Sequence, residues 1–447
     1  MSAGSLQAPS RRHILALAWP IVLANCAAPL LGLTDTAVIG HVGAAHELGA
    51  IALGALVFNF VFWAFGFLRM GTTGFVARAA GAGDTSEERA VAARGLLLAA
   101  GIGLALLVLQ WPIVSLALHL FDASAAAEGA ARTYVVIRIW SAPATLAGYV
   151  VTGWLIGLGR TRDVLRIQLL LNGLNAALDL LFAAALGWGV AGIAFGTVLA
   201  EWLAVAWALR VLWHAVRARH ADAEPLMPRA RLRDRHALRV MLSANRDLMI
   251  RTVLMLAGFA WFTNAGARFG DTVLAANHVL LQLISFSAFF LDGFAFAAEG
   301  LVGRAAGAGR RDVFDATVRH STQVSAATAV SIGLTLLAGG NALVALLTSL
   351  DAVQAQAAVL LPWAALYVAL SFAAFQLDGI FIGTSRTAAM RNASLLSVAG
   401  FGLCYLLLGG RESVQALWLS FVAFVVLRAL ALAMLYPRLR REVFAEG

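Results

Sequence analysis

Apolar residues fill this chain in long runs, broken by short clusters of Arg, Gly and Asp. A helix needs about 20 residues to cross the hydrocarbon of a bilayer. Twelve runs are long enough, over 13–40, 51–78, 91–118, 131–158, 164–186, 189–214, 247–268, 273–303, 313–338, 356–384, 388–408 and 413–436. The pattern predicts an all-α polytopic membrane protein with twelve transmembrane helices. Spans 2 and 8 are longer than a crossing requires and are expected to tilt or project beyond the bilayer.

The pattern also repeats. Arg78-Ala79-Ala80-Gly81-Ala82-Gly83 recurs as Arg304-Ala305-Ala306-Gly307-Ala308-Gly309, at an offset of 226 residues. The same offset carries Leu48 onto Leu274, Gly74 onto Gly300, Gly153 and Gly157 onto Gly379 and Gly383, and Arg160-Thr161 onto Arg386-Thr387. One constant offset over so long a stretch marks a duplicated unit of six spans. An even number of spans gives both copies the same orientation. The expectation is two six-helix lobes related by a pseudo-two-fold axis along the membrane normal, the usual layout of a secondary transporter. The predicted domains are an N-terminal lobe at 1–214, a cytoplasmic linker at 215–246 and a C-terminal lobe at 247–447. Small residues four apart, as in Gly153/Gly157 and Gly379/Gly383, are read as helix-packing positions.

Composition sharpens this picture. The chain is 61% hydrophobic and 13% charged, against about 45–50% and 25% in soluble domains, so its solvent is lipid. The net charge is +9, and every Lys/Arg position is Arg. These arginines punctuate the spans, which points to topology and away from nucleic acid. Arg11, Arg12, Arg78, Arg89, Arg160, Arg162, Arg304, Arg310, Arg311, Arg386, Arg391, Arg438, Arg440 and Arg441 all fall on one side. By the positive-inside rule both termini are cytoplasmic. The linker carries Arg217, Arg219, Arg229, Arg231, Arg233, Arg235, Arg239 and Arg246, with Pro225 and Pro228. It reads as a solvated segment that holds topology, with anionic headgroups as its alternative contact. Arg69, near the inner end of span 2, is expected to snorkel.

Arg11-Arg12 followed by an apolar run resembles a signal peptide, but the run continues past Leu23-Ala24-Asn25-Cys26 to Ile39, so 13–40 is expected to be a retained span. Cys26 and Cys404 both lie in apolar runs and are read as buried thiols. Gly81-Ala82-Gly83 lacks the Lys-Ser/Thr of a phosphate loop. The histidines His41, His46, His119, His220 and His236 lie mostly at loops, without helical metal spacing. These absences argue against an enzyme, a cofactor or a bound catalytic metal.

An ionisable group within the hydrocarbon costs several kcal/mol unless it is paired, hydrated or neutralised, so the acids inside spans mark candidate chemistry. They are Asp35, Asp179, Glu201, Asp292, Glu299 and Asp378. At about 1.5 Å per residue, Asp35 lies roughly 8 Å below the outer end of span 1, and Asp179 and Thr197 each lie about 12 Å below the outer ends of spans 5 and 6. Asn175 is one turn from Asp179 on the same face. Converging carboxylates with amide and hydroxyl partners suit a proton or a small hard cation such as Na⁺. Two close carboxylates in low dielectric favour proton uptake. Asp292 and Asp378 both stand in Leu-Asp-Gly and are candidate cavity acids of the second lobe, while Glu299 is read as structural. Pro20 and Pro29 lie in the helix of Asp35 and give it a candidate hinge.

The block Pro29-Leu30-Leu31-Gly32-Leu33-Thr34-Asp35-Thr36-Ala37-Val38-Ile39-Gly40-His41-Val42-Gly43, continued by Phe67-Leu68-Arg69-Met70-Gly71-Thr72-Thr73-Gly74, resembles the multidrug and toxic compound extrusion (MATE) family, in its DinF-like branch. Leu291-Asp292-Gly293 and Leu377-Asp378-Gly379-Ile380-Phe381-Ile382-Gly383 fit the same family, and the resemblance covers nearly the whole chain. It implies a twelve-helix, two-lobe exporter driven by H⁺ or Na⁺ that expels organic, often cationic, compounds. It makes Asp35 the coupling acid, maps the family's amino-lobe cation site onto Asn175, Asp179 and Thr197, and makes Pro20 the bend of the first helix. Other branches carry a Glu in the seventh span, whereas 247–268 is read as having no acid, which leaves Asp378 as the acid remaining for the second lobe.

The expectation is therefore an H⁺-coupled antiporter, with Na⁺ at Asp35 and Asp179 as the alternative ion. It would act as a monomer among membrane lipids in a bacterial inner membrane, exporting a small organic substrate. Phe58, Trp63 and Trp261 are candidates for cation–π contact with that substrate. A lipid-linked sugar flippase and a major-facilitator transporter are the rival readings. The first would need a more cationic cavity, for which Arg69 stands out among the early spans.

Overall fold

The computed structural model describes residues 7–42, 45–119, 125–219 and 229–445. His220, Pro225 and Pro228 of the linker lie outside the described residues, as does Gly43. Among the described residues every regular element is helical, with no strand. Twelve helices are long and apolar enough to cross a membrane: α1 (Arg11–His41), α2 (Glu47–Gly81), α3 (Thr85–Val108), α4 (Ala127–Gly157), α5 (Thr161–Ala185), α6 (Gly189–Ala218), α7 (Arg235–Ala267), α8 (Asp271–Gly307), α9 (Arg311–Leu347), α10 (Asp351–Gly383), α11 (Thr387–Leu407) and α12 (Val414–Val443).

They match the twelve predicted spans in order, and the differences have local causes. Span 3 is two pieces, because a separate helix, Gln110–His119, follows α3; Pro112 has no N–H to offer the Val108 carbonyl. Span 9 does not stop at Gly339-Gly340. It continues to Leu347, and a Cβ on Gly340 would lie 2.6 Å from the Leu361 side chain, so that glycine serves close packing of α10. α1 is helical through both Pro20 and Pro29.

The chain forms two compact units. One comprises Leu23–Val76 and Asp84–Arg239; the other comprises Met1–Val22, Ala77–Gly83 and Val240–Gly447. α1 thus contributes to both, changing unit after Val22.

In the first unit α4 lies on α2 through glycines. A Cβ on Gly157 would come within 3.0 Å of the Thr73 carbonyl oxygen, and one on Gly153 would clash harder with that of Arg69. In the second unit α10 lies on α8 the same way, with Gly379 and Gly383 each placing a Cβ 2.5 Å from the carbonyl oxygens of Ala295 and Glu299. These two pairs of contacts are related by the 226-residue offset, partner by partner. Within the second unit Gly81 and Gly307 also make reciprocal contacts, each against the carbonyl of the other copy's Arg, Arg304 and Arg78. The turn after α4 repeats too. Gly159 has φ +74°, and its counterpart Ser385 has φ +59°. Arg160 N–H donates to the Leu155 carbonyl (2.8 Å), as Arg386 N–H does to Phe381 (3.0 Å). Both helices end in the six-to-one bond that closes a helix through a left-handed residue.

The linker is not simply solvated. Arg219 donates to both Glu88 oxygens, at 2.7 and 3.0 Å. Arg231 lies 2.9 Å from Asp84 and 3.3 Å from Glu87. Its arginines are attracted to the acidic first turn of α3, where carboxylates already favour the helix N-terminus. Asp234 caps α7 by accepting from the His236 and Ala237 amides at 2.8 and 3.2 Å. Those amides, Ala237 first, hold its carboxyl below the usual carboxylate range. The core of the second unit is aromatic: Phe421 stacks on Phe262 at 4.2 Å and on Tyr367 at 4.7 Å.

Two outcomes follow for stability in detergent. Gly379→Ala should cost about 1–3 kcal/mol by forcing α8 and α10 apart, while Gly101→Ala, which meets nothing within 4 Å, should not. Ser385→Gly should raise stability by up to about 1 kcal/mol, because it removes the penalty of a Cβ in the left-handed region. Thermal unfolding of the purified variants measures both.

Candidate ion-coupling site

The site is built in the first unit from residues one helical turn apart. α5 presents Asn175 and Asp179, α6 presents Thr197 and Glu201, α4 presents Tyr134 and Arg138, and α1 adds Asp35. A spacing of four puts each pair on one face of its helix. The four expected coupling residues, Asp35, Asn175, Asp179 and Thr197, come together, and none is more than 2% exposed.

The Asp35 and Asp179 carboxyl groups lie side chain to side chain, with the Asn175 amide beside both. Asn175 Nδ2 also donates to Thr197 Oγ1 at 3.1 Å, and that hydroxyl donates to the Ile193 carbonyl at 2.9 Å. Tyr134 OH donates to Asp35 Oδ2 at 3.4 Å. Gly196 makes the approach of α5 possible, since a Cβ there would lie 2.5 Å from Asp179 Oδ1. Four acceptor oxygens have no donor from the described protein groups: Asp35 Oδ1, both Asp179 oxygens and Asn175 Oδ1. A buried acceptor left unmet costs about 1–3 kcal/mol, and more when charged. Unmet acceptors of this kind can take up a proton or a small cation.

Beside it lies a partnered pair. Arg138 Nη2 donates to Glu201 Oε1 at 2.7 Å. Thr145 Oγ1 donates to the other Glu201 oxygen, and Arg138 Nη1 donates to Ser141 Oγ. The guanidinium lies over Phe58 at 5.3 Å and Phe62 at 6.0 Å from the ring centroids. Phe58 thus receives the protein's own cation. Trp261 packs on Phe401 at 5.1 Å, and Trp63 is exposed. Backbone irregularities flank the cluster: a 3-10 turn, Ile139–Ser141, follows Arg138, and a π turn, Leu180–Ala185, follows Asp179.

Sequence reasoning missed Arg138, Tyr134 and the pairing role of Glu201. The signal was present, because an arginine well inside an apolar span demands a partner. Arg69 does not stand alone among the early spans, and at 9% exposure it is buried rather than snorkelling.

The second unit holds a different cluster. Asp378 is ion-paired with Arg251 and lies 3.8 Å from Arg428. Arg428 also faces Asp292. Asp378 is therefore met by guanidinium groups, unlike Asp35 and Asp179. Glu299 is fully buried. The seventh span is not free of acid as expected: Asp247 stands in α7 and accepts from Arg391 at 2.8 Å. Pro20 is buried within α1, in the segment that belongs to the second unit. Among the described residues no group of three or more His, Cys, Asp or Glu is arranged to hold a metal ion.

A family model described as MatE matches residues 20–181 and 248–406. The DNA damage-inducible protein F of Escherichia coli (strain K12) is 38% identical over 426 residues, covering 94% of this chain and 91% of that protein. The "Probable multidrug resistance protein NorM" of Deinococcus radiodurans is 33% identical over 312 residues, 67% of this chain and 65% of that one. The fold is similar to the crystal structure of the Vibrio cholerae MATE transporter VcmN in the bent form, with a TM-score of 0.86 at 19% identity over 99% of this chain and 98% of that chain.

Asp378→Ala should destabilise the protein by about 3–5 kcal/mol, because it strands buried arginine charge. Asp378→Glu should recover most of that loss, as read by thermal unfolding.

Proposed function

The chain belongs to the MatE family of multidrug efflux transporters and is a multi-pass membrane protein, and on that premise we propose that it is an H⁺-coupled antiporter of organic, often cationic, compounds. Family membership disposes of the major-facilitator reading. Asp35, Asn175, Asp179 and Thr197 are the coupling residues. The observation that carries this is the set of four buried acceptor oxygens at Asp35, Asn175 and Asp179 without a protein donor. A proton reaching the pair from outside neutralises one carboxyl and supplies the missing donor. The first helix, hinged at Pro20, then rearranges, and the substrate loses its affinity for the outward-facing cavity. The membrane potential contributes about 2.3 kcal/mol per charge per 100 mV. Asp292 and Asp378 line the polar interior of the C-terminal lobe. Both termini are cytoplasmic, the protein acts as a monomer in the inner membrane, and the lobes divide at the 215–246 linker.

The rival flippase calls for a cationic cavity. Arg138 adds a buried cation, but Glu201 offsets part of its charge from 2.7 Å, which favours the antiporter.

Proteoliposomes loaded with ethidium and subjected to separate pH and Na⁺ gradients test this. A pH gradient should drive efflux by the unaltered protein, and Asp35→Asn should reduce that efflux at least about tenfold, the loss expected of a group essential for proton transfer. Full gradient-driven efflux by Asp35→Asn would overturn the coupling assignment. Efflux driven by Na⁺ alone would reassign the ion.

A further inference from the structure

Arg138 is a buried cation whose work the coupling scheme leaves open. Its side chain is 7% exposed, and Glu201, Ser141, Phe58 and Phe62 surround it. It is also joined to the coupling acids. Tyr134 lies beside Arg138 and donates to Asp35 Oδ2. The groups that face this region are Asp35 from α1, Arg69 from α2, Tyr134 and Tyr149 from α4, Asp179 from α5 and Glu201 from α6.

A guanidinium does not lose its proton in a protein, so the charge of Arg138 is permanent. What can vary is how much of it Asp35 and Asp179 feel. An uncancelled guanidinium nearby would strip the carboxyls of their proton. With no cation nearby, two adjacent carboxyls in low dielectric would hold one too firmly to release it within a transport cycle. Glu201 lies between these limits: it binds Arg138 and dims its field without removing it. Its own two oxygens are occupied by Arg138 and Thr145, so it is held as a partner for Arg138.

We infer that Arg138, partly cancelled by Glu201, sets the pH at which the Asp35–Asp179 pair gives up its proton. The inference rests on reading that pair as the proton-loaded site and adds the residues that tune it. Arg138 is a positioning residue, acting through the acids. The step itself is a dissociation: one Asp O–H bond breaks, its electron pair stays on the carboxylate, and the proton leaves to water.

The test follows the carboxylic-acid C=O infrared band of the full-length protein in nanodiscs as pH is varied, with Asp35→Asn and Asp179→Asn identifying its owner. Arg138→Gln should move the midpoint up by at least about one unit, and Glu201→Gln should move it down by a similar amount, the scale of a nearby charge gained or lost. The double variant should return towards the unaltered protein, and Arg138→Lys should stay close to it. A merely structural role would not shift the two single variants in opposite directions. Glu201→Gln keeps an acceptor for Arg138 and tests the sign by itself if Arg138→Gln does not fold. Single variants that leave the midpoint in place, or move it the same way, overturn the inference while the coupling assignment stands. A band that does not titrate, or that neither Asp variant removes, overturns the coupling assignment and this inference with it.

Discussion

A carboxylate in hydrocarbon must be met from within the protein, because lipid offers it nothing. Most of the polar structure follows from that constraint. In the second unit the demand is met by cations already present: Arg251 and Arg428 answer Asp378. In the first unit Arg138 is taken by Glu201. Of the Asp35 and Asp179 oxygens only Asp35 Oδ2 receives a donor, Tyr134, and the other three are unmet by the described groups. A site whose partners are all supplied has no reason to exchange them. One that lacks a donor must take it from outside, which is the physical basis for the coupling ion proposed above.

The duplication separates scaffold from chemistry. What recurs at the 226-residue offset is backbone: glycines pressed on carbonyls, and a left-handed turn after the fourth helix of each copy. Ser385 is instructive. It has lost the glycine of its counterpart Gly159 yet keeps the same positive φ, so the fold dictates the turn even where the side chain resists it. The acids of the cluster do not recur. The positions equivalent to Asp35, Asp179 and Glu201 are Trp261, Tyr405 and Leu427. Trp261 and Tyr405 instead contact each other, with ring centroids at 6.0 Å. One copy therefore uses these positions for packing and the other for the buried polar cluster proposed to couple the ion.

Much of this was legible in the residues, and the limits were physical. Long apolar runs gave the helices because hydrophobic length is a one-dimensional property. Asn175 and Asp179 could be placed together because four residues make one turn. The convergence of Asp35 with them needed the family resemblance, since azimuth between separate helices is not written in spacing. Arg138 was hidden for a related reason. Arginines were read as markers of topology, and its partner Glu201 stands 63 residues away on another helix. The glycine break expected at Gly339-Gly340 failed because packing against Leu361 outweighs the modest helix cost of glycine.

The irregular turns at the site are consistent with its task. A carrier must hold ligands closely in one state and let them part in another, so the backbone between them should rearrange at low cost. A regular helix resists this, since each residue is fixed by its own i to i−4 bond. After Asp179 the Leu186 amide instead donates to the Leu181 carbonyl at 2.9 Å, a wider loop that shifts the side chains beyond it. After Arg138 the helix tightens by a 3-10 turn before Thr145, the group that steadies Glu201. Mid-helix turns of either kind commonly mark hinges and functional sites. Here they lie directly beside Asp179, one of the proposed coupling acids, and beside the buried cation, so a change of charge at the cluster would act on the backbone where the helices are least regular.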